Sequence, residues 1–164
     1  MRTTTAKIAR SGRKAISGPV RIKSILVPVD FSPASKRALE YAVGVASQFK
    51  ATLTLLHVVE PVATPDFAAS FPLALEDESL MAAAKRQLEQ TVKAARVPRG
   101  MVEKVLVRFG RSFHEIADAA RTRKADLIII STHGYTGLKH ALLGSTTERV
   151  VRHAHCPVLV VRQN

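Results

Sequence analysis

Tryptophan is absent from this chain of 164 residues, aromatic side chains make up 5% of it, and Cys156 is its single cysteine. One cysteine excludes an internal disulfide and a cysteine-ligated metal cluster, which suits a reducing compartment and leaves Cys156 to packing. No apolar run approaches the roughly 18–20 residues of a membrane span, and the first residues lack the apolar centre of a secretory signal. A soluble, cytoplasmic protein is the expectation. Acidic residues are missing from one end: none precedes Asp30, whereas Arg2, Lys7, Arg10, Arg13, Lys14, Arg21 and Lys23 all do. Setting those seven aside leaves 18 basic against 13 acidic residues, so much of the formal charge of +12 belongs to a tail. A mildly basic body with few aromatics to stack on bases argues against a nucleic-acid partner beyond weak, salt-dependent tail contacts.

Residues 1–21, rich in Thr, Ser, Gly and Ala with scattered Arg, read as a disordered basic tail. Their acid-free composition is also that of an organelle transit peptide. Residues 22–164 read as one domain, a length able to bury a real core. Two nucleotide signatures are missing as well, the Gly-x4-Gly-Lys-Ser/Thr loop and the Gly-x-Gly-x-x-Gly fingerprint, and no nucleophile is evidently paired with a base.

What is present is an alternation of strand-like and helix-like segments. Ile25-Leu-Val-Pro-Val29 reads as a short buried strand with Pro28 near its end. Ser32 is a suitable cap and Pro33 a suitable first residue for a helix whose apolar stripe is Ala38, Tyr41, Ala42, Val45 and Phe49. Thr52 to Val59 is a second strand, and Glu60 to Asp77, broken by Pro61, Pro65 and Pro72, an irregular connection. Leu80, Ala84, Leu88, Val92 and Ala95 mark a second helix that ends before Pro98. Val102 to Phe109 is a third strand. Gly110 breaks it, and Ser112 with Glu115 forms a capping box for a helix carrying Phe113, Ile116, Ala117 and Ala120.

Leu127-Ile-Ile-Ile130 lacks any alternation and so reads as a strand buried on both faces. After it come Ser131-Thr-His-Gly134 and, nine residues on, Gly144-Ser145-Thr-Thr-Glu148. Ser145 with Glu148 is a second capping box, opening a helix with Thr147, Val150, Val151 and Ala154 on one face. Backbone N–H groups near Gly144 and Ser145 are therefore expected to point outward, an arrangement that attracts phosphate. Pro157 ends that helix, and Val158-Leu-Val-Val161 is the last strand. Five strands alternating with four helices predict an α/β fold with a doubly wound parallel sheet. If the strand order is 3-2-1-4-5, the ligand crevice lies between the ends of strands one and four, beside Asp30 and Ser131 to Gly134.

From Ile22 to Arg162 the chain resembles the universal stress protein family. The resemblance rests on Ile25-Leu-Val-Pro-Val-Asp30-Phe-Ser, Leu55-Leu-His-Val-Val59, Gly110-Arg-Ser112, Ile129-Ile-Ser-Thr-His-Gly134, Leu143-Gly-Ser-Thr-Thr-Glu148 and Pro157-Val-Leu-Val-Val161, in that order. It implies a Rossmann-like fold of the adenine-nucleotide alpha-hydrolase type and a stress-response protein holding ATP or another adenine nucleotide, with Mg as a companion ion. By that likeness Pro28 and Asp30 lie beside the adenosine, the main chain of Val58 meets adenine, Gly134, Gly144 and Ser145 lie at the phosphates, and Val29, Ser131, His133 and Thr146 belong to the same nucleotide site. ATP-binding members carry Gly, two residues, Gly, nine residues, then Gly with Ser or Thr. Here Ser131 stands at the first glycine, where its side chain either crowds a ligand or offers a hydroxyl. The resemblance also implies a homodimer through Val158, Leu159, Val160 and Val161, an apolar edge if left uncovered. A dimeric interaction module without nucleotide is the alternative, and a slow ATPase the third option. His57 and His133 beside the crevice read as satisfied imidazoles, and His153 and His155 do not make a metal site without partners.

Overall fold

The computed structural model describes residues 19–61, 74–132 and 144–162. The expectations for His133 and Gly134, and nearly all of those for the tail at 1–21, lie outside them. Nine elements alternate along the chain: β1 (Ser24–Pro28), α1 (Pro33–Phe49), β2 (Thr52–Val59), α2 (Ala74–Ala94), β3 (Val102–Phe109), α3 (Ser112–Thr122), β4 (Leu127–Ser131), α4 (Ser145–His153) and β5 (Val158–Val161). The five strands form one parallel sheet in the order β3-β2-β1-β4-β5. Among the described residues no helix is long and apolar enough to cross a membrane.

Period-two alternation of the strands divides the core between two faces. Ile25, Val27, Leu53, Leu55 and Ile129 point to one, with Leu39 and Ala42 of α1 and Leu88 of α2. Leu26, Leu56, Ile128 and Ile130 point to the other, with Ile116, Ala119 and Ala120 of α3 and Val150 of α4. Every residue of β4 is buried, because it lies inside the sheet with helices over both faces. Cys156 packs at the edge of the second cluster, where burial raises its thiol pKa and disfavours the reactive thiolate.

α1 begins as its sequence predicts. Ser32 is the N-cap, its Oγ accepting from Ser35 N at 3.1 Å, with Pro33 at the first helical position. Its buried stripe differs, being Ala34, Ser35, Ala38, Leu39, Ala42 and Ala46. Tyr41 and Phe49 are exposed, as are Leu80 of α2 and Val151 of α4, all four of them expected on apolar faces. A period near 3.6 leaves the stripe's centre undetermined when small residues flank large ones, and here alanines take the seam against the sheet.

Both expected capping boxes are absent. α3 starts at Ser112 with Arg111 as N-cap, and α4 starts at Ser145 with Gly144 as N-cap, neither cap using a side chain. Glu115 and Glu148 bond to cations instead, to Arg108 at 3.3 Å and Arg152 at 2.7 Å. α2 also begins earlier than expected, at Ala74.

Arg108 of β3 ties this edge strand to α3, reaching Asp118 at 2.8 Å and Thr122 Oγ1 at 3.2 Å as well as Glu115. Gly110, at φ +146°, makes the turn between the two, and a Cβ there would stand 3.0 Å from Glu115 Oε1. Glycine is the residue that fits both the dihedral and the space.

Two consequences are measurable. Ile129→Ala empties a fully buried position in the central strand layer, so urea denaturation should show a loss of about 2–5 kcal/mol. The Asp118 carboxyl is held below its ordinary value of 3.8, first by Arg121 and then by Arg108. A depressed carboxylate adds stability that is complete above the unfolded pKa and is lost as pH falls through the lower folded one. Between about pH 5 and pH 2.5 the wild-type Tm should therefore fall more steeply than that of Asp118→Asn. Parallel curves would show that the Arg108–Asp118–Arg121 cluster adds nothing.

Candidate functional site

β1 is followed by a helix on one face of the sheet and β4 by a helix on the other, so their C-terminal ends diverge into a crevice. The open cleft there has a volume of about 140 Å³. Pro28, Val29 and Asp30 enter it from the end of β1, and Leu56, His57 and Val58 from β2. Ile130 and Ser131 come from β4, Gly144, Ser145, Thr146 and Thr147 from the start of α4, and Ser112 and Ile116 from α3. The structure thus brings together eight of the ten residues expected at a nucleotide site: Pro28, Val29, Asp30, Val58, Ser131, Gly144, Ser145 and Thr146. The other two, His133 and Gly134, lie outside the described residues.

The β1 end is fixed by a compact hydrogen-bonded turn. Asp30 Oδ1 accepts from Ser32 N at 3.1 Å and from Ser32 Oγ at 2.6 Å, while Asp30 N donates to Ser35 Oγ at 3.3 Å. Phe31 between them takes φ +66°, a left-handed conformation that costs about 1 kcal/mol outside glycine. Charge-assisted bonds to the carboxylate offset that cost. His57 lies against the Phe31 ring with centroids 4.4 Å apart, and its Nδ1 is 2.7 Å from Val29 O. A carbonyl only accepts, so His57 Nδ1 carries a proton and donates to Val29 O. Asp30 both braces α1 and lines the cleft, and one of its oxygens is already engaged.

The β4 end is joined to α4 by two bonds. Gly144 N donates to Thr132 O at 2.7 Å, and Thr147 Oγ1 donates to Ser131 O at 2.8 Å. The expectation that the Gly144 N–H points outward is therefore corrected: it holds the helix to the strand. Ser145 and Thr146 occupy the first turn, where N–H groups have no intrahelical acceptor and the helix dipole is positive. Ser131, 5% exposed, sits at the base of this junction.

Sequence reasoning missed Ser35, Leu56, Ser112, Ile116, Ile130 and Thr147 as cleft residues. The spacing places Thr147 and Ile116 on apolar helix faces, where both are buried, and the cleft is the open end of the same packing layer. For Ser112 the pattern predicts a cap. Its own N–H is capped, by Glu60 Oε1 at 2.8 Å. The Ser112 side chain and N–H, in that order, hold the Glu60 carboxyl below its ordinary pKa, with Arg111 adding to the effect.

The family model for the universal stress protein family matches residues 21–162. A universal stress protein from Methanocaldococcus jannaschii is 35% identical over 146 residues, covering 86% of this chain and 82% of that protein. The structure of the universal stress protein UspA from Lactobacillus plantarum superposes with a TM-score of 0.76 at 33% identity, covering 88% of this chain and all of the other. A universal stress protein solved in complex with cAMP shares the fold, with a TM-score of 0.59 at 23% identity, covering 87% of this chain and 98% of that one. The β1 turn at Asp30 and the Gly144 junction thus sit within a match that runs from the first strand to the last, and the chain belongs to the universal stress protein family.

Proposed function

We propose that the protein binds an adenine nucleotide, with the phosphates against the first turn of α4 and the adenosine toward Asp30 and Val58. One observation carries this reading. The first-turn N–H groups of Ser145 and Thr146 open onto the same cleft as the β1 turn and the half-buried end of β2. β1 alone separates β4 from β2, so the anion-binding end and the Val58 end stand about 10 Å apart, two strand spacings. The relative solved with cAMP is a precedent for a nucleotide on this fold.

The preferred occupant of the phosphate end is an anion held by backbone donors and a dipole, a single helix end supplying about 0.3–1 kcal/mol. Such a term does not bind a ligand alone. The remainder comes from burying the base and sugar between Val58, His57 and Ile116. Calorimetry with ATP, ADP and AMP tests this directly, and absence of binding at millimolar nucleotide would sink it. Thr146→Glu should weaken ATP at least tenfold by setting a carboxylate where the phosphates lie. A first-turn acid favours the helix itself, so Tm should hold.

Ser131, where ATP-binding members have their first motif glycine, favours a second reading, an interaction module without nucleotide. Adenine nucleotide retained through purification would reject it.

The second part of the proposal is a homodimer through β5. This strand lies at the end of the sheet, and its four residues are all half-buried apolar ones. Pro157 O and Val161 O accept from β4, so by strand alternation Val158 and Val160 turn their backbone groups to the open edge. An uncovered edge of this composition invites pairing. Sedimentation should find a dimer, and Val160→Pro, which removes an outward N–H at a position edge strands tolerate, should yield monomer. A monomeric wild type at high concentration would overturn this part.

A further inference from the structure

The helices over the two faces of the sheet are spaced differently. α3 and α4 pack against each other, whereas α1 and α2 leave a groove between them of about 340 Å³. This groove is larger than the cleft at the strand ends, and its size falls within the roughly 300–1,000 Å³ of small-molecule sites. Lys36, Leu39 and Glu40 line it from α1, and Gln87, Gln90 and Thr91 from α2. Leu39 and Thr91 are buried at its floor, while the two charges and the two amides are exposed along its rims. Phe31 lines the groove as well. Its ring packs on His57, which lines the cleft, so the pair stands as a partition between the two cavities. Phe31 is held at φ +66°. Strained backbone collects where a side chain must be aimed at a ligand, and here it fixes an aromatic wall.

We infer that this groove is a second ligand site, for a zwitterionic α-amino acid with an apolar side chain. Lys36 and Glu40 lie one helical turn apart, with Cβ atoms about 5–6 Å from each other. They come in the order that pairs less well along a helix, lysine before glutamate. Among the described residues neither side chain has a hydrogen-bond or ion-pair partner. A lone cation on the wall would suit any anion, and a lone carboxylate any amine. Both together suit a molecule that carries its two opposite charges on neighbouring atoms. Lys36 meets the carboxylate of such a ligand and Glu40 its ammonium. Across the groove the amides of Gln87 and Gln90 donate to the first and accept from the second. The apolar side chain is left to the Phe31 ring and Leu39. Neither charged residue lines the nucleotide cleft, so the inference stands independently of the reading proposed for that cleft.

Leucine is the probe, set against isoamylamine, which lacks the carboxylate, isocaproate, which lacks the ammonium, and glycine, which lacks the side chain. Two-dimensional NMR titration of the full chain should show leucine shifting the backbone amides of Leu39, Gln87 and Thr91, with saturation in the millimolar range. Each of the three analogues should bind about tenfold more weakly or worse, having lost one charge-assisted contact or the apolar one. Lys36→Gln should weaken leucine about threefold or more and leave isoamylamine unmoved, because that amine has no carboxylate to lose. Glu40→Gln should act in the same way on leucine and leave isocaproate unmoved. Both substitutions are at exposed positions, so Tm should hold. Variants that weaken every ligand alike would mean that the groove was merely reshaped, and would overturn the inference. So would glycine, isoamylamine or isocaproate binding as tightly as leucine, or amide signals that stay still at tens of millimolar leucine.

Discussion

The pairing of β1 with both β2 and β4 is the constraint on which the rest of the molecule depends. A parallel sheet needs crossover helices, and each crossover commits its helix to one face. Because the chain leaves β1 for β2 in one direction and reaches β4 in the other, α1 and α2 cover one face while α3 and α4 cover the second. The strand ends at the reversal have helices departing to opposite sides, so no element closes the space between them. The cleft is a topological consequence of strand order. Its chemistry depends on which residues happen to end the strands.

Those end residues do double service, and energetics separates the two roles. Asp30 gives Oδ1 to Ser32 N and Oγ, which stabilises the entry to α1 and holds Phe31 at positive φ. Left-handed backbone at a non-glycine residue survives where the surroundings fix it, and here the ring of Phe31 is held against His57, itself bonded to Val29 O. One turn therefore sets the position of a carboxylate and an imidazole that line the cleft, with the Phe31 ring packed against that imidazole. Thr147 and Gly144 do the same at β4, using a side-chain donor and a main-chain donor to set the angle at which α4 meets the strand.

The sheet was legible in the sequence because its strands are unambiguous: β4 is a run of isoleucines, and β2, β3 and β5 have the predicted bounds. Helix faces were less legible. In α1 the buried seam is mostly alanine, which contributes little to any hydrophobic period, so Tyr41 and Phe49 drew the predicted stripe toward solvent. Caps were the least legible. Ser112-Phe-His-Glu115 and Ser145-Thr-Thr-Glu148 both fit a capping box, yet in each the glutamate meets an arginine contributed by another part of the fold or by the next helical turn. A local pattern names a competent partner without showing which partner wins, and an arginine at 2.7–3.3 Å outcompetes a backbone N–H that something else already satisfies. At α3 that something else is Glu60, more than fifty residues distant in sequence from Ser112, which is why no spacing rule announces it.

The same displacement of roles bears on Ser131. A glycine at a strand end allows backbone to approach a ligand closely, and a serine there narrows the approach by its Cβ and hydroxyl. In this chain Ser131 is buried rather than projecting, its carbonyl accepts from Thr147, and it completes the β4 ladder opposite Val161. The residue has become part of the strand that the α4 junction is built on. What a glycine would have offered a ligand at this point, close access to main chain, is offered instead one helical turn away by Ser145 and Thr146, whose N–H groups lie beyond the reach of any carbonyl within α4. Loss of the first glycine therefore narrows the floor of the cleft without removing the donors at its α4 wall.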